Sequence, residues 1–281
     1  MEKIRDFRVI NIMAKCNLKC IYCKNQPSEI DEDKVINSIE QILEKFNKDT
    51  TCFRAECRGE ITLYKKIIEY LEMQCEEGYI VEILTNGLLV DQVLSLNTKL
   101  KTVISLDGHT AKMNRFRRLN QDQVNHILDN IFLFKSEIQC VYCNQKKEDI
   151  NSFVTYLKER DYGGYLHIFP CSLDGQITEL SFKYNEIEKA DFLPPEEFFE
   201  RWKYIAEHNK RNFTCDMIKN GYMYYINNDQ LGMVKCDGIS LAAEMIEPFG
   251  NESDHSNYPC GTCINHSEYN NSRKFLKIDK E

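Results

Sequence analysis

Phe7-Arg8-Val9-Ile10-Asn11-Ile12-Met13 leads through Ala14-Lys15 into Cys16-Asn17-Leu18-Lys19-Cys20-Ile21-Tyr22-Cys23. An apolar run gives way to a loop that carries three cysteines. The run predicts a strand over residues 7–13. At this cysteine content, chance gives the C-x3-C-x2-C spacing only roughly 0.03 times in a chain of this length. Three thiolates on one loop can reach three corners of an iron–sulfur cube. The fourth iron then stays free, as a catalytic metal site keeps an open position. Zinc or incidental cysteines are the plainer alternatives. Zinc would want a fourth ligand nearby, and no histidine lies within eighty residues of the loop.

Outward from this loop the chain alternates. Asp31-Glu32-Asp33 open a helix, and Val35, Ile36, Ile39, Ile42, Leu43 and Phe46 follow at helical spacing. Further strands are expected over 51–53, 79–84, 101–106, 138–142 and 165–169. Helices between them are marked by Leu63, Ile67, Ile68 and Leu71, by 88–96, by Val124, Ile127, Leu128, Ile131 and Phe132, and by Ile150, Phe153, Val154 and Leu157. Six strand–helix units with short connections argue for a parallel α/β sheet with right-handed crossovers. Periodicity leaves open whether that sheet is open, a partial barrel or closed. Ligand chemistry in such folds gathers at the carboxyl ends of the strands.

The pattern changes after Pro170. Residues 172–191 are polar and irregular. Pro194-Pro195-Glu196-Glu197 open a last helix with Phe198, Phe199, Trp202 and Ile205 on one face. Residues 222–226 and 231–234 read as a hairpin around Asn227-Asn228-Asp229-Gln230. The expected organisation is a main α/β unit over 1–193, a connecting helix over 194–212 and a small Cys-rich unit over 213–281. The last thirty residues hold too few apolar side chains to fold unaided, and bound metal would supply what is missing.

Composition narrows the function. Net charge is −8 and the apolar share is 42%. This disfavours a general nucleic-acid or anionic-membrane partner. No apolar run is long enough to span a membrane, and the first residues do not read as a signal peptide. Thirteen cysteines is an odd and high count. Without an export signal it points to metal or redox chemistry rather than disulfides.

The Cys16–Cys20–Cys23 loop resembles the signature of radical S-adenosylmethionine (radical SAM) enzymes, including the aromatic Tyr22 before the third cysteine. Arg58-Gly59-Glu60 is similar to the family's Gly-Gly-Glu segment, with Arg58 in place of a glycine and Ile61 where proline is common. Thr85-Asn86-Gly87 and Ser105-Leu106-Asp107-Gly108 end the third and fourth strands, as is typical there. The resemblance covers residues 7 to about 170. It implies a partial (β/α)6 barrel, a catalytic 4Fe-4S cluster on Cys16, Cys20 and Cys23, and S-adenosylmethionine bound near Tyr22, Gly59, Glu60, Asn86, Ser105, Asp107 and Arg117. Glu60 would face the methionine amino group. Arg117 would face its carboxylate, with Arg115 and Arg118 as rivals. The implied chemistry is electron transfer from the reduced cluster, scission of a carbon–sulfur bond, and hydrogen abstraction by a 5′-deoxyadenosyl radical.

Cys215, Cys236, Cys260 and Cys263 are the cysteines after Cys171. Four thiolates complete a cluster with no iron left open. The set resembles the shortened auxiliary-cluster (twitch) module, a reduced form of the SPASM domain, and would bring the count to two 4Fe-4S clusters. A zinc ribbon on the same residues is the alternative, with His255 and His266 as further ligands. Cys57 and Cys171 could return a hydrogen atom to a substrate radical, although buried free thiols are the plainer reading. Cys140 and Cys143 form a weak C-x2-C pair whose members point to opposite faces of a strand. His167 would point into the sheet's cavity or toward a helix.

The first functional reading is oxidation or epimerisation of a small polar, sugar-like metabolite. An external electron donor such as flavodoxin or ferredoxin would supply electrons. The second is modification of a ribosomal precursor peptide, by cross-linking or epimerisation; the early first strand leaves no room for an N-terminal leader-binding unit. The third is a non-catalytic metal-binding scaffold.

Overall fold

Along β1 (Asp6–Met13) alternate residues part company. Ile10 and Ile12 enter the main apolar core, while Asn11 between them turns to the other face of the pleat. The division continues in β2 (Thr51–Arg58), where Phe53 and Ala55 join the core and Arg54 and Glu56 oppose them. It runs on through β3 (Ile80–Thr85), β4 (Lys101–Ser105), β5 (Glu137–Tyr142) and β6 (Tyr165–Pro170). Val81, Ile83, Ile104, Ile138, Cys140 and Leu166 are core residues. Glu82, Ser105, Glu137, Gln139 and His167 hold the opposite parity.

The structure is a computed structural model and describes residues 6–23, 28–48, 51–142, 147–170, 223–228, 230–234, 247–248 and 276–277. Five helices cover the apolar face: α1 (Glu32–Leu43), α2 (Lys65–Glu76), the single-turn α3 (Val90–Val93), α4 (Gln121–Phe134) and α5 (Lys147–Lys158). All five lend side chains to the same core cluster as the strands. Right-handed crossovers place successive helices on one side of a parallel sheet. One face is therefore dry and the other is free to be polar.

β1 to β6 pair in parallel and in sequence order. The sheet does not close on itself among the described strands. Beyond β1 lies β7 (Met223–Asn227), parallel to it; β8 (Gln230–Val234) and the two-residue β9 (Glu247–Pro248) follow antiparallel. Beyond β6 lies β10 (Leu276–Lys277), also antiparallel. The expected hairpin thus lies on the main sheet. Its turn residue Asn228 adopts φ 52°, accepts from the Asp31 amide at 2.9 Å and donates to the Glu29 carbonyl at 3.3 Å. Ser38 Oγ donates to the Asn228 carbonyl at 3.4 Å. This ties the hairpin to the start of α1, where Asp31 also caps the helix by accepting from the Asp33 and Lys34 amides.

Three expectations shift. β2 runs to Arg58 rather than stopping at residue 53. Arg54, Glu56 and Arg58 break up its apolar pattern because they occupy the polar face. The helix expected over 88–96 shortens to four residues, since Leu94 is already extended. α4 begins earlier, at a capping box in which the Asn120 side chain takes the Gln123 amide and Gln123 answers. The expected helix from Pro194 and the proposed boundaries near 193 and 212 lie outside the described residues. No helix among the described residues is long and apolar enough to cross a membrane.

Phe53 is fully buried where the core meets Phe46 and Tyr79. Phe53→Ala should lower the unfolding free energy by about 3–5 kcal/mol, read as a reduced urea midpoint with an unchanged slope.

Candidate functional site

The thiol loop leaves the carboxyl end of β1 and is held on two flanks. On the first, Gly59 follows β2 and packs against the backbone of Ala14 and Lys15. A Cβ at residue 59 would stand 2.3 Å from the Lys15 carbonyl oxygen and 2.4 Å from that of Ala14. Only glycine permits this approach. The Glu60 amide then donates to the Lys15 carbonyl at 2.7 Å, and the Lys15 amide donates to Tyr64 Oη at 2.9 Å.

Glu60 is 2% exposed. Its Oε1 accepts from the Thr62 amide (3.0 Å), Thr62 Oγ1 (2.7 Å) and Thr85 Oγ1 (2.6 Å). Its Oε2 accepts from the Asn86 amide at 2.7 Å. Asn86 Nδ2 in turn donates to Asn17 Oδ1 at 2.7 Å, inside the thiol loop. Gly87 supplies the φ of +83° that turns the chain after β3. The Gly-Glu and Thr-Asn-Gly segments, read separately in the sequence, thus form one hydrogen-bonded unit beside Cys16.

On the second flank, Asp107 is 1% exposed. Oδ1 accepts from Arg117 Nη2 and from the Val141 amide, both at 2.8 Å; Tyr22 Oη donates to Oδ2 at 3.3 Å. The Arg117 guanidinium also lies 5.5 Å from the centre of the Tyr22 ring. The Ile21 amide donates to the Phe116 carbonyl at 2.7 Å. Tyr22, Val141, Cys20 and Phe116 pack together as a small apolar cluster. Burial pulls the Arg117 guanidinium down, and the Asp107 carboxylate more than offsets this, so its pKa lies above the ordinary value. Burial pushes the Cys20 thiol up to about 11, with Arg117 pulling the other way.

Cys16 and Cys23 are exposed and Cys20 is half-buried. Each of Cys16 and Cys20 senses the charge of Cys23, so the three thiols share one electrostatic neighbourhood. Among the described residues no three His, Cys, Asp or Glu side chains converge on a single ion. A cube of iron and sulfide asks for something else, three separate thiols at three corners, and a loop with two accessible thiols at the rim of the sheet fits it.

Ser105 ends β4 on the polar face. Arg117 turns its Nη2 onto Asp107, while Arg115 stacks over Phe116 at 4.8 Å and Arg118 takes a left-handed φ of 59°. Cys57 lies on the helix side of β2, in step with Phe53 and Ala55, and packs against the core. Cys140 is likewise a core residue. Cys143, Cys171, Cys215, Cys236, Cys260 and Cys263 lie outside the described residues. The polar face carries Arg54 bonded to Glu82 at 2.9 Å and His167 bonded to Glu137 at 2.7 Å. Sequence reading passed over Asn17, Thr62, Tyr64, Asn114 and Val141. Thr62, two residues past Glu60, carried a signal as a potential partner. A backbone amide such as that of Val141 carries none.

Gly59→Ala should push the thiol loop off β2. A loss of about 1–3 kcal/mol in stability is expected, together with reduced iron uptake on anaerobic reconstitution, checked by urea denaturation and iron analysis.

Comparison with known proteins bears on this arrangement. No family model matches the chain. Neomycin C epimerase of Streptomyces fradiae is 38% identical over 279 residues, covering 99% of this chain and 93% of that protein. The crystal structure of Streptococcus suis SuiB superposes with a TM-score of 0.57 at 16% identity over 86% of this chain. This chain spans 63% of that one, under two thirds of its length. The AdoMet-bound structure of anSMEcpe gives a TM-score of 0.52 at 18% identity, covering 96% of this chain and 81% of that one. At these identities the two structures speak for the fold alone.

Proposed function

Since the chain belongs to the radical SAM superfamily, we propose that it is an epimerase of a small polar, sugar-like metabolite, with neomycin C as the first substrate to test. The observation that carries this reading is the 38% identity to neomycin C epimerase across nearly the whole of both chains.

When bound, a reduced cluster and S-adenosylmethionine supply the carbon radical that removes a hydrogen atom from the substrate. The chain's own groups hold and orient. Cys16, Cys20 and Cys23 would ligate three irons of the catalytic 4Fe-4S cluster. Gly59, Asn86 and Ser105 would frame its open side. Glu60 Oε2 accepts one hydrogen bond among the described residues and keeps an acceptor position suited to an ammonium group. The polar face, in what would be a partial barrel, supports a hydroxylated and aminated substrate. Asn11 Oδ1 is buried there with no hydrogen-bond partner among the described residues, and Glu82 and Glu137 add acceptors for cationic groups.

Inversion also needs a group that returns a hydrogen atom to the opposite side. A thiol does this by giving up its S–H hydrogen; one electron and one proton then restore it. The position of Cys57 behind the polar face argues against it. The thiol would be Cys171, the residue after β6, or one of the other cysteines beyond the described residues. Cys215, Cys236, Cys260 and Cys263 would hold a second 4Fe-4S cluster in a twitch-like unit that relays the restoring electron. A cytoplasmic flavodoxin or ferredoxin would be the source. Peptide modification rests on fold likeness alone.

The test is turnover of neomycin C by anaerobically reconstituted protein in heavy water. The expected product is the epimer with one deuterium at the inverted carbon, formed with 5′-deoxyadenosine. Cys16→Ala should reduce both products to background. Replacement of the returning thiol should leave 5′-deoxyadenosine and abolish the epimer. A product two mass units lighter than substrate would mean dehydrogenation instead, and 5′-deoxyadenosine from the Cys16→Ala protein would sink the cluster assignment.

A further inference from the structure

We propose that Asp107, Arg117 and Tyr22 form a positioning clasp that sets the second and third thiols of the loop, with Arg117 held in it through Nη2. The inference rests on the cluster reading above and adds to it.

Four segments meet at one carboxylate. Asp107 itself ends the β4 connection. Tyr22 comes from the thiol loop, Arg117 from the loop over 109–118, and Val141 from the carboxyl end of β5. The loop over 109–118 is in turn shaped around Asp107. The Asp107 amide donates to Asn114 Oδ1 at 2.9 Å. Asn114 Nδ2 donates to the carbonyls of Gly108 at 2.7 Å and Thr110 at 2.9 Å, and Asn114 is fully buried. The Phe116 carbonyl that receives the Ile21 amide therefore stands on a braced turn.

The geometry separates the two arms of the thiol loop. Cys16 and Asn17 are fixed through Glu60, Asn86 and Gly59. The Cys20–Cys23 arm is fixed by Tyr22 Oη, by the Ile21–Phe116 bond and by the apolar packing of Tyr22 on Val141. Tyr22 sits directly before Cys23 and two residues after Cys20, so moving its ring moves both thiols. Arg117 is 5% exposed and already bonded to Asp107. Removing Arg117 would strand the Asp107 carboxylate, which is costly, while Arg117 Nε is buried with no hydrogen-bond partner among the described residues, so the guanidinium keeps a donor beyond the pair. Keeping the pair leaves a neutral, rigid wall beside the cluster.

The experiment compares wild type with Tyr22→Phe, Arg117→Lys and Asp107→Asn, each reconstituted without oxygen. Iron release to a chelator and the electron paramagnetic resonance of the reduced cluster are recorded without S-adenosylmethionine. Cofactor affinity and melting temperature are measured in parallel. Tyr22→Phe keeps the ion pair and the ring, so its fold should persist with little change in melting temperature. It should nonetheless release iron about tenfold faster and show an altered cluster spectrum. Arg117→Lys should do the same or more, and Asp107→Asn combined with Tyr22→Phe should be no worse than Asp107→Asn alone. Wild-type iron release and spectra in Tyr22→Phe would overturn the clasp. So would an Arg117→Lys protein that loses only cofactor affinity and keeps wild-type iron release and spectra. A wild type that takes up no iron would instead overturn the superfamily chemistry itself.

Discussion

A buried carboxylate must find donors, and this chain has placed one on each side of the loop on which its chemistry depends. Glu60 and Asp107 are both nearly sealed from water. Each gathers hydrogen bonds from segments distant in sequence: Thr62, Thr85 and Asn86 for Glu60, and Tyr22, Arg117 and Val141 for Asp107. Desolvation makes an unsatisfied carboxylate expensive. The ends of β2, β3, β4 and β5 therefore come together in one arrangement. The thiol loop inherits its shape from that requirement.

The second constraint is the one-sided burial of the sheet. Helices on a single face let β2, β3 and β5 carry apolar residues toward the core and charged ones away from it. Arg54, Glu56, Glu82, Glu137 and His167 could not sit in a sheet covered on both faces without far more elaborate pairing. Here they meet one another across neighbouring strands and leave acceptors such as Asn11 Oδ1. The same device that builds the core lines a polar surface beneath the cluster loop.

Much of this was legible in the chain. Six strands in a parallel sheet followed from apolar runs and turn residues, and the three-cysteine loop announced itself by spacing alone. The strand-end segments at Gly59-Glu60, Thr85-Asn86-Gly87 and Asp107 were each picked out. Their mutual bonding was not, because hydrogen bonds between residues twenty or more apart leave no periodic trace. Arg117 illustrates the limit. The family resemblance alone pointed it at the cofactor's methionine carboxylate, and the sequence could not say that Asp107 already bonds its Nη2. β2 was cut short for a related reason: Arg54 and Glu56 look like the end of a strand until the face they occupy is known. The hairpin was found, but its seat beside β1 depends on Asn228 reaching Glu29 and Asp31, almost two hundred residues away.

That seat has a mechanical meaning. β1 is the strand from which the thiol loop departs, and β7 shares its register from Val9 to Ile12. The bonds of Asn228 then pin the hairpin turn to the segment that leaves the loop for α1. Both halves of the chain are thus levelled against a common datum. A displacement of the hairpin would tilt the platform on which the first three cysteines stand, so the hairpin acts on the thiol loop by alignment alone, without touching a thiol.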